Sequence, residues 1–290
     1  MEFASNRLGD VFSYYLGVLG EIYGGMEARS MLFLLFEYQL DFSRVKILSD
    51  AGERLSESEI LNIHKSVVKL KKHIPLQYII GETTFLDLRI MVEPGVLIPR
   101  PETEELVQWV VEVNVKRNES LNILDIGTGS ACIAIALDRK LSNAKVFAID
   151  NSEKAIAIAR ENSRLNQSGV VIEKADLFEF NLPHAFPAAF DIIVSNPPYV
   201  RESEKEMMHD NVLDFEPAEA LFVKDEDPLL YYRAILEMAE KFLKKNGSIF
   251  FEINENMQGK FLQLLSGFPA YRQTFKKDLS NKTRMLKLDL

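Results

Sequence analysis

Residues 190–200 read Phe-Asp-Ile-Ile-Val-Ser-Asn-Pro-Pro-Tyr-Val. An almost wholly apolar strand ends there on an amide, two residues that lack a backbone N–H, and a phenol. A loop alone would be served by Gly, Ser or Asp. Proline fixes φ and removes a donor, so Asn196, Pro197, Pro198 and Tyr199 form a stiff turn that can offer fixed acceptors.

Three other apolar runs end on residues with chemistry of their own. "LDIGTGSACIAIAL" contains Asp125 and turns through Gly127, Thr128, Gly129, Ser130 and Ala131. Glycine there allows positive φ and close approach of a ligand to the backbone. "KVFAID" ends on Asp150, an acid that can accept hydrogen bonds from both hydroxyls of a ribose. "VVIEKAD" ends on Asp176, with Leu177 and Phe178 beside it; an acid against an apolar wall suits an adenine. Glycine turn, ribose acceptor and adenine pocket describe a nucleoside site. No phosphate-binding lysine accompanies them, which points away from ATP and towards S-adenosylmethionine.

Each signal has a plainer explanation. The glycine turn alone could be a tight strand-to-helix connection, Asp150 could be a helix N-cap (a role open to Ser152), and Asn-Pro could be a structural turn. A dinucleotide fingerprint requires Gly or Ala at the sixth position of the glycine turn, and Cys132 stands there, which disfavours an NAD-dependent oxidoreductase.

The elements that must carry these ends alternate in period. Strands are expected at 122–127, 145–150, 170–176, 190–196 and 248–254, with amphipathic helices between them and two further strand-like runs, "YRQTFKKD" and "TRMLKLDL", at the end. Repeated βα units imply a mostly parallel sheet covered by helices, and ligands of such sheets bind at the carboxyl ends of the strands. Residues 1–74 carry helical spacing instead: Phe12, Tyr15, Leu16 and Leu19 share one face, and Ile60, Ile63, Val67 and Leu70 another, after the N-cap candidates Ser56 and Ser58. They predict a helical bundle whose aromatics form core. Residues 75–97 alternate like a β-hairpin connector. A helix then starts at "RPETEELVQWVVEV", with Pro101 near its start and three glutamates where the macrodipole favours them, within a domain spanning 98–290.

The chain has 290 residues, 47% apolar and 27% charged, with a net charge of −9, which suits two domains of a folded protein. An acidic balance argues against broad contact with a nucleic-acid backbone. Cys132 is the single cysteine, so no internal disulfide or Cys-based zinc site is possible. His64, His73, His184 and His209 lack a ligand spacing, and no metal is expected. The N-terminus has no signal-peptide pattern and "MLFLLF" is far short of a membrane span, so a cytoplasmic protein without membrane contact is expected.

The combination of "LDIGTGS", "AID", "KAD" and "SNPPY" resembles a class I S-adenosylmethionine-dependent methyltransferase, with a Rossmann-like α/β fold. The block "PLQYIIGETTFLDLRIMVEPGVLIPRPETEELV" ahead of it resembles the HemK/PrmC family, the protein-(glutamine-N5) methyltransferases of peptide chain release factors. The resemblance covers residues 75–290, and the helical N-terminal piece agrees in size and type. "NPPY" alone is shared with adenine-N6 methyltransferases; its pairing with "IPRPETE" is more specific. Departures are Ala131 where the family's turn ends in glycine, "FVKDEDPLL" (222–230) where a glycine pair and Asp-Gly are common, Asn254 where a glycine is common, and Thr283 where an acid is common.

This resemblance implies that S-adenosyl-L-methionine is held by Asp125, Gly127 to Ala131, Asp150, Asp176, Leu177 and Asn196. It implies that the glutamine of a Gly-Gly-Gln loop in a class 1 release factor is held at Asn196, Pro197, Pro198 and Tyr199. Asn196 Oδ1 and the Pro197 carbonyl would take the two amide N–H bonds, and the Tyr199 ring would pack the planar amide. The competing readings are a DNA or RNA adenine-N6 methyltransferase, for which no basic groove or target-recognition domain is evident, and a nucleoside-binding protein without catalysis, which would have no use for "NPPY".

Overall fold

The helical spacing of the first eighty residues becomes five helices in a computed structural model that describes residues 4–290 apart from 118, 180 and 209; His209 lies outside the described residues. They are α1 (Leu8–Tyr23), α2 (Gly25–Leu40), α3 (Arg44–Ser49), α4 (Glu57–Leu70) and α5 (Leu76–Ile80). Leu8, Val11, Tyr15 and Leu19 of α1 share one buried cluster with Leu32 and Phe36 of α2 and with Ile63, Val67 and Leu70 of α4. Phe12 and Leu16 pack half-buried at its edge. Ser56, not Ser58, caps α4: it accepts the Glu59 N–H while the Glu59 carboxylate takes the Ser56 N–H, closing a reciprocal capping box.

This first compact unit runs to Gly81 and includes the short segment Asp210–Phe215, so it does not end at residue 74. Leu76 is buried in its core, and Ile79 and Ile80 pack on the same cluster. The hairpin is correspondingly shorter than residues 75–97. Its strands are β1 (Glu82–Phe85) and β2 (Leu88–Met91), joined by Leu86 and Asp87, both at positive φ, as a tight two-residue turn requires. A two-stranded hairpin has no core of its own, and this one belongs to the second unit. The reason is Asn162. Its fully buried side chain takes the Met91 N–H at 2.7 Å and donates to the carbonyls of Met91 and Ser130, both at 3.0 Å, tying hairpin and glycine turn to one helix.

The second unit continues with α6 (Pro101–Asn114), β3 (Leu121–Ile126), α7 (Cys132–Lys140), β4 (Ala144–Asp150), α8 (Glu153–Leu165), β5 (Val171–Lys174), β6 (Phe190–Ser195) and β7 (Val200–Arg201). After the segment α9 (Asp210–Phe215) come α10 (Ala218–Leu221), β8 (Phe222–Val223), α11 (Leu230–Phe242), β9 (Leu243–Glu252), α12 (Gln258–Leu265), β10 (Arg272–Lys277) and β11 (Thr283–Asp289). Seven strands form one sheet in the order β10-β11-β9-β6-β3-β4-β5. The five βα strands run parallel, and β11 and β10 add on antiparallel at one edge. The strand order turns back at β3, which has β4 on one side and β6 on the other, and that switch opens a crevice at the carboxyl ends. The 222–230 loop begins as β8, paired parallel to β7, and continues past Asp227, which binds Arg233 at 2.7 Å. Among the described residues no helix is long and apolar enough to cross a membrane.

Candidate active site

Parallel pairing sets the strand ends level. Ile126 pairs with both Ile149 and Ser195, so Gly127, Asp150 and Asn196 come out side by side. They line a cavity of about 280 Å³, close to the lower end of the roughly 300–1,000 Å³ usual for small-molecule sites. Thr128, Gly129, Ser130, Asp176, Leu177, Pro197 and Pro198 line it too.

Gly127 and Gly129 have φ of 70° and 54°, and nothing lies within 4 Å of where a Cβ would stand on either. The turn is thus a cradle whose open side faces a ligand. Asp150 spans it: Oδ2 accepts the Gly129 N–H and Oδ1 the Ser152 N–H, each at 2.9 Å. Ser152 caps α8 by accepting the Ala155 N–H, which leaves the remaining lone pairs of Asp150 for the cavity. Burial holds the Asp150 carboxyl above its ordinary range against the pull of the Ser152, Gly129 and Asn151 amides. Across the cavity Asp176 takes the Phe178 N–H through Oδ1. Phe178 stacks tilted on Tyr231, centroids 5.4 Å apart, and with Leu177 makes an apolar wall.

Three expected site residues do not line this cavity: Asp125, Ala131 and Tyr199. Asp125 is fully buried beneath the turn, where Oδ2 accepts the Thr128 hydroxyl at 2.6 Å; it shapes the turn from below. Ala131 is buried at φ 62°, a left-handed conformation that costs an L-residue roughly 1–2 kcal/mol. The cost of this departure from glycine falls on the backbone of the turn. Tyr199 lines a smaller recess of about 40 Å³ that shares Asn196, Pro197 and Arg100 with the main cavity.

Behind Asn196 stands a network that sequence reasoning missed. Asn196 Nδ2 donates to Thr103 Oγ1 at 3.1 Å, Thr103 Oγ1 donates to Glu252 Oε2 at 2.7 Å, and the Tyr199 hydroxyl donates to Glu252 Oε1 at 2.8 Å. Among the described residues Asn196 Oδ1 accepts no hydrogen bond, and it is the atom left for a ligand. Burial pushes the Glu252 carboxyl up, against the pull of Thr103, Tyr199 and Arg284. Burial, then the Glu252 charge, holds the Tyr199 phenol well above its usual range, so it stays a donor. A second clamp holds the segment before α6. Buried Glu216 accepts the Ile98 N–H at 3.2 Å and Arg100 Nη2 at 2.5 Å. Two of the α6 glutamates do more than complement the helix dipole: Glu104 accepts the Leu86 N–H and Glu105 the Leu279 N–H. The signal for Glu252 was present in "SIFFEIN", an acid inside an apolar run. Among the described residues no group of three His, Cys, Asp or Glu is arranged to hold a metal.

Residues 117–286 match a family described as a methyltransferase domain, and residues 21–81 one described as the PrmC N-terminal domain. The chain is 43% identical over 278 residues to the release factor glutamine methyltransferase of Flavobacterium psychrophilum, across 95% of this chain and 96% of that one. It is 40% identical over 277 residues to that of Bacteroides thetaiotaomicron, across 95% and 98%. The chain belongs to the release factor glutamine methyltransferase family. A methyltransferase from Pyrococcus furiosus shares the fold at 18% identity, with a TM-score of 0.51 over 81% of this chain and 98% of that one. The sheet of this family member is therefore the class I methyltransferase sheet, and the protein is an enzyme. The match to the N-terminal domain stops at residue 81, where the N-terminal stretch of the first compact unit ends.

Asp125 gives this site a measurable signature. Burial pushes its carboxyl up to about 7 against the pull of the Thr128 hydroxyl, while the unfolded value is near 4. The folded state then holds an extra proton between about pH 4 and 7, and stability falls as pH rises through that window. Asp125→Asn removes the titration. The unfolding free energy of wild type relative to this variant should decline from pH 4 to 7 and level off above, as measured by urea denaturation in pH steps. A constant difference would show that Asp125 is not desolvated in the fold.

Proposed function

We propose that the protein transfers a methyl group from S-adenosyl-L-methionine to the side-chain nitrogen N5 of the glutamine in the Gly-Gly-Gln motif of class 1 peptide chain release factors. The observation that carries this reading is the orientation of Asn196: its Nδ2 is taken by Thr103, so it presents an acceptor beside two prolines that have no N–H to donate.

The cavity residues fit the methyl donor. The glycine cradle admits a close ligand, Asp150 has lone pairs for a ribose diol, and Asp176 with Leu177 and Phe178 suits an adenine edge and face. When bound, this cofactor supplies an electrophilic sulfonium methyl group. The target side chain reaches the recess lined by Tyr199, where Asn196 Oδ1 takes one amide N–H and the Pro197 carbonyl the other. An amide nitrogen is a poor nucleophile because its lone pair is delocalised into the carbonyl. Two fixed acceptors orient that lone pair and favour pyramidalisation as it reacts. As the N–C bond formed, the methyl would part from the sulfonium, leaving a neutral thioether, and the extra N–H proton would then pass to solvent, so no strong base is needed. Catalysis rests on positioning, which supplies up to roughly 7–11 kcal/mol in favourable cases.

The N-terminal unit would recognise the release factor outside its glutamine loop. In support, α2 exposes Met26, Leu34 and Tyr38, spaced by multiples of four along one helical face. The acidic chain supports a protein substrate over a nucleic-acid one.

The direct test incubates the protein with a class 1 release factor and isotopically labelled S-adenosylmethionine, then locates the label by mass spectrometry, with adenine-containing DNA in parallel. Label on the glutamine side chain of the Gly-Gly-Gln loop is expected; label in the DNA and none in the factor would overturn the assignment. For the cofactor, Asp150→Ala should weaken S-adenosylmethionine binding by roughly 1.5–3 kcal/mol, the worth of a charge-assisted acceptor, in calorimetric titration. Unchanged affinity in the folded variant would remove Asp150 from the cofactor site.

A further inference from the structure

A primary amide is nearly symmetric in shape. Asn196 could sit in its pocket with either oxygen or nitrogen towards the substrate, and only one of the two is productive. With Nδ2 turned outward its hydrogens would meet the hydrogens of the target amide. Something must choose between the two orientations, and the choice falls to the groups that Asn196 Nδ2 meets.

We infer that Thr103 and Glu252 are positioning residues for the transfer: they lock the Asn196 amide with its oxygen towards the substrate nitrogen. The inference deepens the proposed function and rests on it. Both Glu252 oxygens accept, one from Thr103 and one from Tyr199, whereas a hydroxyl has one hydrogen to give and lone pairs to receive with. Thr103 spends its hydrogen on Glu252 Oε2 at 2.7 Å. It can then only accept from Asn196, as it does from Nδ2 at 3.1 Å. The reversed amide would set Oδ1 against an oxygen with no hydrogen left.

Glu252 cannot readily rearrange. It is 1% exposed, its other oxygen takes the Tyr199 hydroxyl at 2.8 Å, and its backbone carbonyl takes the Tyr232 hydroxyl at 2.8 Å. Its aim follows from register. Ser195 pairs with Phe251, so Glu252 comes out beside Asn196. Strand alternation puts it on the same face as Phe250, and Phe250 meets Trp109 of α6, with centroids 5.4 Å apart. Thr103 lies two turns earlier on that helix. Thr103 is 3% exposed, and both hydrogen bonds of its hydroxyl run to protein groups.

The test compares Thr103→Val, which keeps the shape and removes the hydroxyl, with Thr103→Ser, which keeps the hydroxyl. Three quantities are read in wild type and both variants: the single-turnover rate of methyl transfer to a release factor, the Kd for S-adenosylmethionine, and solvent exchange of the Asn196 side-chain amide hydrogens by 15N NMR without cofactor or substrate. Thr103→Val should lower the rate about tenfold or more, the fold-change carried by one hydrogen bond, with a Kd within about twofold of wild type and faster exchange at Asn196. Thr103→Ser should restore both rate and slow exchange. A valine variant with wild-type rate and exchange would overturn the relay. So would a rate loss matched by loss of cofactor affinity, or a serine variant as impaired as valine. If wild type protects the Asn196 amide through Thr103 but transfers no methyl to glutamine, the orienting relay stands and the proposed substrate fails.

Discussion

Neighbouring parallel strands cannot slip by one residue without turning every side chain to the opposite face, and the whole site hangs on that constraint. Ile126 is level with Ile149 and Ser195, and Ser195 with Phe251. From these pairings alone, Gly127, Asp150, Asn196 and Glu252 come out as neighbours at one edge of the sheet. A slip between β6 and β9 would keep both strands buried and apolar, since each has hydrophobic residues on both faces. It would nonetheless take Glu252 away from Thr103 and leave a carboxylate without partners in the core. That is a penalty of several kcal/mol, far larger than the modest net worth of the hydrogen bonds it now makes. The buried acid thus disfavours the wrong register.

The two ends of the cavity solve different problems with the same device. At the glycine turn, Asp150 accepts backbone N–H groups and keeps the cradle open. Asp125 holds Thr128 from beneath at the cost of its own desolvation. At the proline turn the acid is one residue further from the ligand: Glu252 acts through Thr103, and the prolines remove donors that would compete with Asn196. In each case a carboxylate out of water sets the direction of uncharged groups that face the ligand. Such prepaid order suits a reaction whose difficulty lies in aiming a lone pair.

Much of this could be read in the residues. Apolar runs located the parallel strands within a few residues, because strands covered by helices on both faces must be apolar throughout. Their terminal Gly127, Asp150, Asp176 and Asn196 stood out as residues an apolar strand has no use for. The misreadings have physical causes. Residues 75–80 looked extended, but Leu76 finds a place in the helical core. β9 begins at Leu243, earlier than 248, because "LKKNG" pairs at Leu243 with Phe190 despite its polarity. Asp125, in the strand before the turn, and Ala131, in the turn at φ 62°, are both fully buried, which composition does not announce. The Thr103–Glu252 contact joins positions 149 residues apart, and no local pattern could announce it.

The proposed transfer depends on Asn196 Oδ1 and the Pro197 carbonyl acting as fixed acceptors for the group that is methylated. That dependence is tested most directly by giving the enzyme, in single turnover, a release factor whose Gly-Gly-Gln glutamine is changed to glutamate, beside the unchanged factor. A carboxylate has the size and shape of the amide but would set oxygen against Asn196 Oδ1 and the Pro197 carbonyl, a mismatch worth several kcal/mol when buried. The unchanged factor should be methylated and the glutamate form should receive no methyl group. Transfer to the glutamate at a comparable rate would contradict the account, because a site of fixed acceptors could not hold it.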